Sequence, residues 1–310
     1  MNSPVSRHNT VGVVFITHNA KHHLPHCLPP VLNSPLKPKV LVVNSSSQDG
    51  TVELAEEYGV DVAVIPRREF NHGATRELAR KMIGTEIVVM MTPDAYPESE
   101  EFLEPLVKPL QKGIAGVAYA RQLPHLGADF FEAFPRYFNY PDADQLRGLD
   151  DVGKYGAFTF FCSDSCAAWL NSALDEVGGF CPVLTGEDTI AAAQLLLAGY
   201  KIAYAADSRV RHSHRYTLRQ EFQRYFDTGY AREGRKRLFF QQGGDERHGA
   251  VFMKQMLRKL AREKPMLLPY AMLQAITKYT GYRLGRMGHH IPLPLVRRLS
   301  SQDYYWRSIW

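Results

Sequence analysis

The sequence predicts an open α/β fold, with a mostly parallel central sheet covered by helices and a helical extension behind it. Three observations predict it. Short apolar runs alternate with helical segments over the first hundred residues, the pattern of a parallel sheet. Each run ends in a polar loop, and such loops open on one edge of the sheet, where α/β folds bind ligands. From about Leu218 the chain looks helical to its end.

The elements follow in order. Val11–Thr17 is an apolar strand ending in Thr17-His18-Asn19. A segment with helical potential follows, broken by Pro25 and Pro29-Pro30. Lys39–Asn44 is the second strand, and its loop, Ser45 to Thr51, caps a helix over Thr51–Tyr58 that Gly59 stops. Val60–Ile65 is the third strand. Asn71-His72-Gly73-Ala74-Thr75-Arg76 leads into a helix through Met82. Glu86–Met91 reads as a buried strand, stopped by Pro93 and Pro97 around Asp94. Beyond residue 100 the alternation loosens. Strands are expected at Gly116–Arg121, Phe158–Cys162 and Ile202–Tyr204, with a long loop region over residues 124–156. A turn is expected at Gly178-Gly179 and a helix over Thr189–Ala198. The extension is expected to be interrupted at Gly243-Gly244, Pro265, Pro269 and Pro292.

At 310 residues and 45% hydrophobic content the chain can bury a sizeable core. No apolar stretch reaches the ~18 residues of a membrane span. The N-terminus, Met1 to Thr10, is polar, so a cytoplasmic protein is expected. Cys27, Cys162, Cys166 and Cys181 form no paired CxxC spacing, which argues against zinc and for reduced thiols. The net charge of +5 hides an asymmetry: −8 over residues 1–210 and +13 over residues 211–310. Basic amphipathic helices suit an anionic membrane surface or a polyanionic partner; a solvated helical face is the bland alternative. No nucleic-acid partner is expected, and the oligomeric state stays open, a homo-oligomer included.

Several groups carry chemistry. Asp94, outside the carboxyl end of a central strand, is placed either to cap its turn or to hold a divalent cation through oxygen. Glu187-Asp188 opens a helix, where the dipole favours ionised acids; Asp188 is a helix cap or a general base. In Arg211-His212-Ser213-His214 the two imidazoles are expected to point apart, so that one of them faces a given site; a surface pair is the alternative. The loops Thr17-His18-Asn19 and Asn44 to Asp49 offer donors and acceptors for a base and ribose. Asn71-His72-Gly73 and Arg76 add cations near the same edge, unless Arg76 pairs with Glu77 or Glu69. Neither GxGxxG after a strand nor GxxxxGK[ST] occurs, which disfavours dinucleotide and P-loop sites.

Six motifs in order, Thr-His-Asn, Val-Val-Asn-Ser-Ser-Ser-Gln-Asp-Gly-Thr, Asn-His-Gly-Ala-Thr-Arg, Thr-Pro-Asp-Ala, Gly-Glu-Asp and His-Ser-His, span residues 11–216. This series resembles a family 2 glycosyltransferase of the GT-A fold, within it the bacterial rhamnosyltransferases. The resemblance implies a catalytic domain over residues 1–216 and a basic helical extension over residues 217–310. It implies inverting transfer of a sugar to a hydroxyl of a polysaccharide or lipid-linked glycan. The favoured donor is dTDP-L-rhamnose, with UDP-hexoses next. Thr17, His18, Asn19, Asn44, Ser46, Asp49, His72, Gly73, Arg76 and Thr92 would hold the nucleotide sugar. Asp94, with His214 or His212, would bind Mg²⁺ or Mn²⁺. Asp188 would be the base, with Glu187 beside it. Arg121, Gln122, Asp164 and Trp169 would line the sugar and acceptor side. The sequence departs from the pattern twice: Thr92 stands where this fold usually has a second acid, and Asn44 where a base-contacting acid is common. The basic extension would then hold the enzyme at the inner membrane face. A sugar-nucleotidyltransferase would need a Gly-rich basic loop after strand one, which Thr17–Asn19 lacks. A non-catalytic polyanion-binding protein remains as the alternative from another class.

Overall fold

The computed structural model describes residues 10–235 and 246–309. Its strands are β1 (Val11–Thr17), β2 (Lys39–Asn44), β3 (Asp61–Val64), β4 (Ile87–Met91), β5 (Tyr96–Pro97), β6 (Val117–Leu123), β7 (Gln145–Arg147), β8 (Cys166–Leu170) and β9 (Ile202–Arg211). They form a single sheet in the order β3-β2-β1-β4-β8-β6-β9-β5, with β7 beside β9. Strands β3, β2, β1 and β4 are parallel. β8 runs antiparallel to both β4 and β6, and β9 is parallel to β6. The expected α/β sheet is therefore parallel in its first half and mixed in its second.

Strand direction has a functional consequence. Two successive antiparallel steps across β8 return β6 and β9 to the direction of β4. The carboxyl ends of β1, β2, β4, β6 and β9 therefore share one edge. The amino end of β8 joins them, bringing residues 163–165 to that edge.

Helices cover both faces. α1 (Leu24–Leu32), α2 (Thr51–Glu57) and α4 (Leu103–Gln111) bury Leu24, Leu28, Ala55, Leu106 and Leu110 against one face. α3 (His72–Ile83), α7 (Asn171–Glu176) and α8 (Glu187–Leu197) bury Ala79, Ile83, Leu174 and Leu195 against the other, around Trp169 and Phe160. Asn71 caps α3 by accepting from the Gly73 and Ala74 N–H groups, and Gly84 ends it at φ 60°.

Four expectations are corrected. The α1 segment is one continuous helix: Pro25 occupies its first turn, where no N–H is required. Residues 124–156 are not a loop. They contain α5 (Phe130–Asn139), opened by a capping box of Asp129 and Glu132, then β7 and the short α6 (Val152–Tyr155). Gly156–Phe160 is a 3₁₀ turn, and the strand falls later, at β8. β9 continues seven residues past Tyr204, because exposed Asp207 and Arg209 alternate with buried Ser208 and Val210.

The extension contains α9 (Leu218–Glu233), α10 (Glu246–Glu263), α11 (Leu268–Arg286), α12 (Leu293–Leu299) and α13 (Asp303–Arg307). Pro269 lies in the first turn of α11 and does not interrupt it. Gly243-Gly244 and residues 1–9 lie outside the described residues. The extension is not separate from the sheet domain. Phe134 of α5 packs with Met256, Leu260 and Ala271, and α13 returns to α3, where Tyr304 Oη meets His72 Nε2 at 2.6 Å. No helix among the described residues is long and apolar enough to cross a membrane.

Candidate active site

Two acidic centres lie on the shared edge. The first forms around Asp94, in the turn after β4 that the Ala95 N–H closes on the Thr92 carbonyl. The segment just after β9 supplies His212 and His214. Their Nε2 atoms lie 3.5 and 3.4 Å from Asp94 Oδ2 and 2.9 Å from each other. The imidazoles were expected to point apart; they converge, because residues two apart on an extended segment share a face. Burial would raise the Asp94 carboxyl, but the hydrogen bond and charge of His212, the nearby Thr92 hydroxyl and His214 outweigh it and hold it far below the usual range. Burial pushes both imidazoles down, His214 to about 3. At neutral pH the cluster is one carboxylate and two neutral imidazoles.

Gln122 orients this cluster. It is buried at the end of β6, and its Oε1 accepts from His212 Nδ1–H at 3.0 Å and from Arg136 of α5. In the neutral ring, with the Nδ1 proton so engaged, the His212 Nε2 lone pair faces Asp94; in acid, Nε2 gains the proton that Asp94 accepts. Gln122 Nε2 donates to Ser163 Oγ at 2.8 Å. Gln122, expected on the sugar and acceptor side, is buried between histidine, arginine and serine.

The second centre holds Asp188, Glu187, Asp164 and Arg76. Gly186, not Asp188, is the N-cap of α8. Asp188 Oδ1 accepts the Thr189 N–H at 2.7 Å and Oδ2 the Asp164 N–H at 3.2 Å. Arg76 pairs with neither Glu77 nor Glu69: its Nε meets Asp164 Oδ2 at 2.8 Å and its Nη1 meets Glu187 Oε1 at 2.7 Å, all buried. One guanidinium thus faces three carboxyls. Burial, then the Glu187 charge, raise Asp188 to about 6 against the pull of Arg76. Burial raises Asp164 too, also against Arg76. Trp169, expected on the acceptor side, is 0% exposed, with Nε1 donating to Asp164 Oδ1 at 2.7 Å. Asp164 is likewise buried. Arg121 stays half-buried beside the β6 bulge.

The expected nucleotide loops sort into buried and open groups. Asn44 is 0% exposed; its amide donates to Thr17 Oγ1 and Ser47 Oγ, and its carbonyl accepts the Ser47 N–H. Asn44 and Thr17 therefore lock the ends of β1 and β2 together. Asp49 accepts from the Lys21 and Thr51 N–H groups and shapes the loop. His18, Asn19 and Ser46 are exposed, the last two with positive φ. Gly73 allows close packing: a Cβ there would stand 1.9 Å from the Cys181 carbonyl oxygen. His72 is pushed to about 3 by burial and bonds to Tyr304.

The fold adds groups that sequence reasoning missed. His23 and His125 flank Tyr96, beside Asp94. Arg67 reaches Ser45 Oγ at 2.9 Å and stacks on Tyr304. α9 contributes Thr228, Ala231 and Arg232 to a cleft of about 210 Å³ that contains Asp188. A second cleft of about 360 Å³ runs from His214 between α5, α9 and α11. No local sequence signal announces any of these, because each partner comes from a distant element.

Comparison with known proteins is consistent with this edge. The model of Glycosyl transferase family 2 matches residues 12–178. The chain is 34% identical over 303 residues to O-antigen chain rhamnosyltransferase RfbN of Salmonella typhimurium, covering 96% of each. It is 37% identical over 274 residues to O-antigen chain rhamnosyltransferase WbaN of Salmonella anatum, covering 87% of each. It is similar in fold to mannosyltransferase PcManGT from Pyrobaculum calidifontis, solved in complex with GDP-Man and Mn²⁺, at 18% identity and TM-score 0.57 over 98% of this chain and 87% of the other.

Proposed function

From the premise that the chain belongs to glycosyl transferase family 2 and is a glycosyltransferase of the GT-A fold, we propose that it transfers L-rhamnose from dTDP-L-rhamnose to a hydroxyl of a polysaccharide or lipid-linked glycan. The observation that carries the reading is the pair of carboxylates on one sheet edge, one held ionised by imidazoles and the other raised to about 6 beside a cleft. The choice of donor follows the names of the two relatives, both O-antigen chain rhamnosyltransferases.

The Asp94, His212 and His214 ligand atoms lie within 4.8 Å of one another, close enough to share one ion. Two nitrogens and one oxygen suit Mn²⁺ better than Mg²⁺, which prefers oxygen. A bound cation would neutralise charge growing on the departing diphosphate. The chain's own residues do the rest. Gln122 keeps the His212 lone pair turned inward. Asp188 accepts the proton of the acceptor hydroxyl at a carboxylate oxygen. The hydroxyl oxygen then attacks the anomeric carbon opposite the leaving diphosphate, and this single displacement inverts that carbon. Arg76 and Asp164 hold the Asp188 loop in place. His18, Asn19 and Ser46 are the exposed groups for the nucleoside. The basic extension draws the enzyme to an anionic inner membrane face, where a lipid-linked acceptor lies.

A thermal-shift panel of dTDP-, UDP- and GDP-sugars, with and without Mn²⁺, tests donor and cation together. The largest stabilisation is expected with dTDP-L-rhamnose and Mn²⁺. A larger shift with a UDP-hexose would replace the donor, and no cation effect would remove the metal role.

A further inference from the structure

α11 carries a surface that glycosyl transfer does not use. Its inner face is fixed on α9 by three glycines. A Cβ on Gly281 would stand 2.5 Å from the Phe222 carbonyl oxygen, and one on Gly285 2.0 Å from that of Phe226. A Cβ on Gly229 of α9 would stand 2.3 Å from the Tyr282 carbonyl oxygen. Backbone touches backbone at this crossing, so α11 cannot rotate about its axis without a clash. The opposite face must then point outward whatever its chemistry.

That outward face is apolar. Met272, Leu273, Ile276, Tyr279 and Met287 are all exposed large hydrophobics, with Ile276 at 59% and Tyr279 at 63%; Met266, just before the helix, is 90% exposed. Their spacing places Met272, Leu273, Ile276, Tyr279 and Met287 in one stripe about 120° wide and roughly 22 Å long. Soluble helices bury such a stripe, yet nothing among the described residues covers this one. Charge chooses its occupant. Residues 246–309 contain 12 Lys+Arg against 3 Asp+Glu. Exposed Lys264 precedes the stripe, exposed Arg283 lies on it, and exposed Arg297 and Arg298 follow it. A second copy of this chain would set these cations against their own kind. An anionic bilayer satisfies both the apolar stripe and its cations.

We propose that α11 lies in the headgroup layer of an anionic bilayer, its apolar stripe reaching the acyl boundary and its flanking Lys and Arg meeting lipid phosphates. The purpose of this surface rests on the reading of a lipid-linked acceptor; the surface itself rests on the helix. Insertion differs from the purely electrostatic attraction that composition suggests, because it leaves binding that salt does not remove.

Cosedimentation of the full chain with phosphatidylglycerol-containing vesicles and with pure phosphatidylcholine vesicles tests it, at low and high salt. Wild type is expected to favour the anionic vesicles and to keep part of that binding at high salt. The L273D/I276D variant is expected to bind at least about tenfold more weakly at both. R297Q/R298Q is expected to weaken binding mainly at low salt. Wild-type binding by L273D/I276D would overturn the proposal. So would a wild-type dimer that this variant makes monomeric, because the stripe would then be a self-interface. Transfer to a short soluble saccharide, run in parallel, separates the two readings. Unchanged transfer in L273D/I276D shows an intact fold. Wild-type vesicle binding without any transfer would sink the enzymatic reading and leave the stripe standing.

Discussion

Asp94 and Asp188 stand on the same sheet edge with the same side chain, and their surroundings drive them in opposite directions. Asp94 is partly buried, which should favour its neutral form, but two imidazoles and the Thr92 hydroxyl keep it ionised. Asp188 is crowded by Glu187 and Asp164 around a single guanidinium, and it rises to about 6. The role of each carboxylate follows its neighbours. A carboxylate beside imidazoles that become cations before it can take a proton is a permanent anion, suited to a metal cation. A carboxylate among carboxylates, with a proton affinity near neutral pH, is suited to taking a proton. The two centres are physically joined: His212 bonds to Gln122, Gln122 to Ser163, and the neighbouring Asp164 N–H to Asp188.

The sharpest way to break the contrast is to exchange the proton acceptor for an amide. Asp188→Asn keeps the volume but only one acceptor oxygen, so it can accept from Thr189 or from Asp164 and not from both. Turnover is expected to fall by about 10³, with donor affinity within roughly twofold in a titration. Retained turnover would remove Asp188 as the base. Asp94→Ala attacks the other side. Mn²⁺ binding by calorimetry is expected to vanish, and kcat/KM to fall by about 10². Unaltered Mn²⁺ affinity would place the cation elsewhere.

These centres were only half legible in the sequence. Asp94, Asp188, His212 and His214 are visible because each follows an apolar run or opens a helix, and six short motifs in order are enough to point to the family. The parallel strands β1 to β4 are visible for the same reason. β8 is hidden: Cys-Ala-Ala-Trp-Leu is short, has no alternation and enters antiparallel. α5 is hidden because Pro, Gly and aromatics surround a helix whose start is signalled only by Asp129 and Glu132. What the sequence hid at the site was burial. Asn44, Trp169 and Gln122 are polar or aromatic residues near the right edge, and no local pattern says that they face inward. The convergence of the two imidazoles was available from strand geometry alone and needed only the correct period of two.

Gln122 tests how far the Asp94 centre depends on support behind it. Gln122→Leu removes the acceptor for His212 Nδ1–H and for Arg136 without filling the cluster. Mn²⁺ affinity is expected to fall about 10- to 100-fold. Gln122→Glu, which still accepts both bonds, is expected to restore most of the affinity. A loss of cation binding equal in both variants would mean that Gln122 acts through packing alone.

The smallest effect examines the Asp188 centre from within. A base must be ionised to accept a proton, so kcat/KM is expected to rise with pH through about 6 and to level above it. Burial is the larger cause of that high value, and the Glu187 charge is the second. Glu187→Gln removes the second cause, retains an acceptor for Arg76, and leaves the pull of Arg76 on Asp188 less contested. The acidic limb is then expected to move to lower pH by less than about one unit, with the plateau nearly unchanged. An unmoved limb would assign it to another group, and a limb that moved upward would show that Glu187 holds Arg76 in place for Asp188 more than it repels the Asp188 charge.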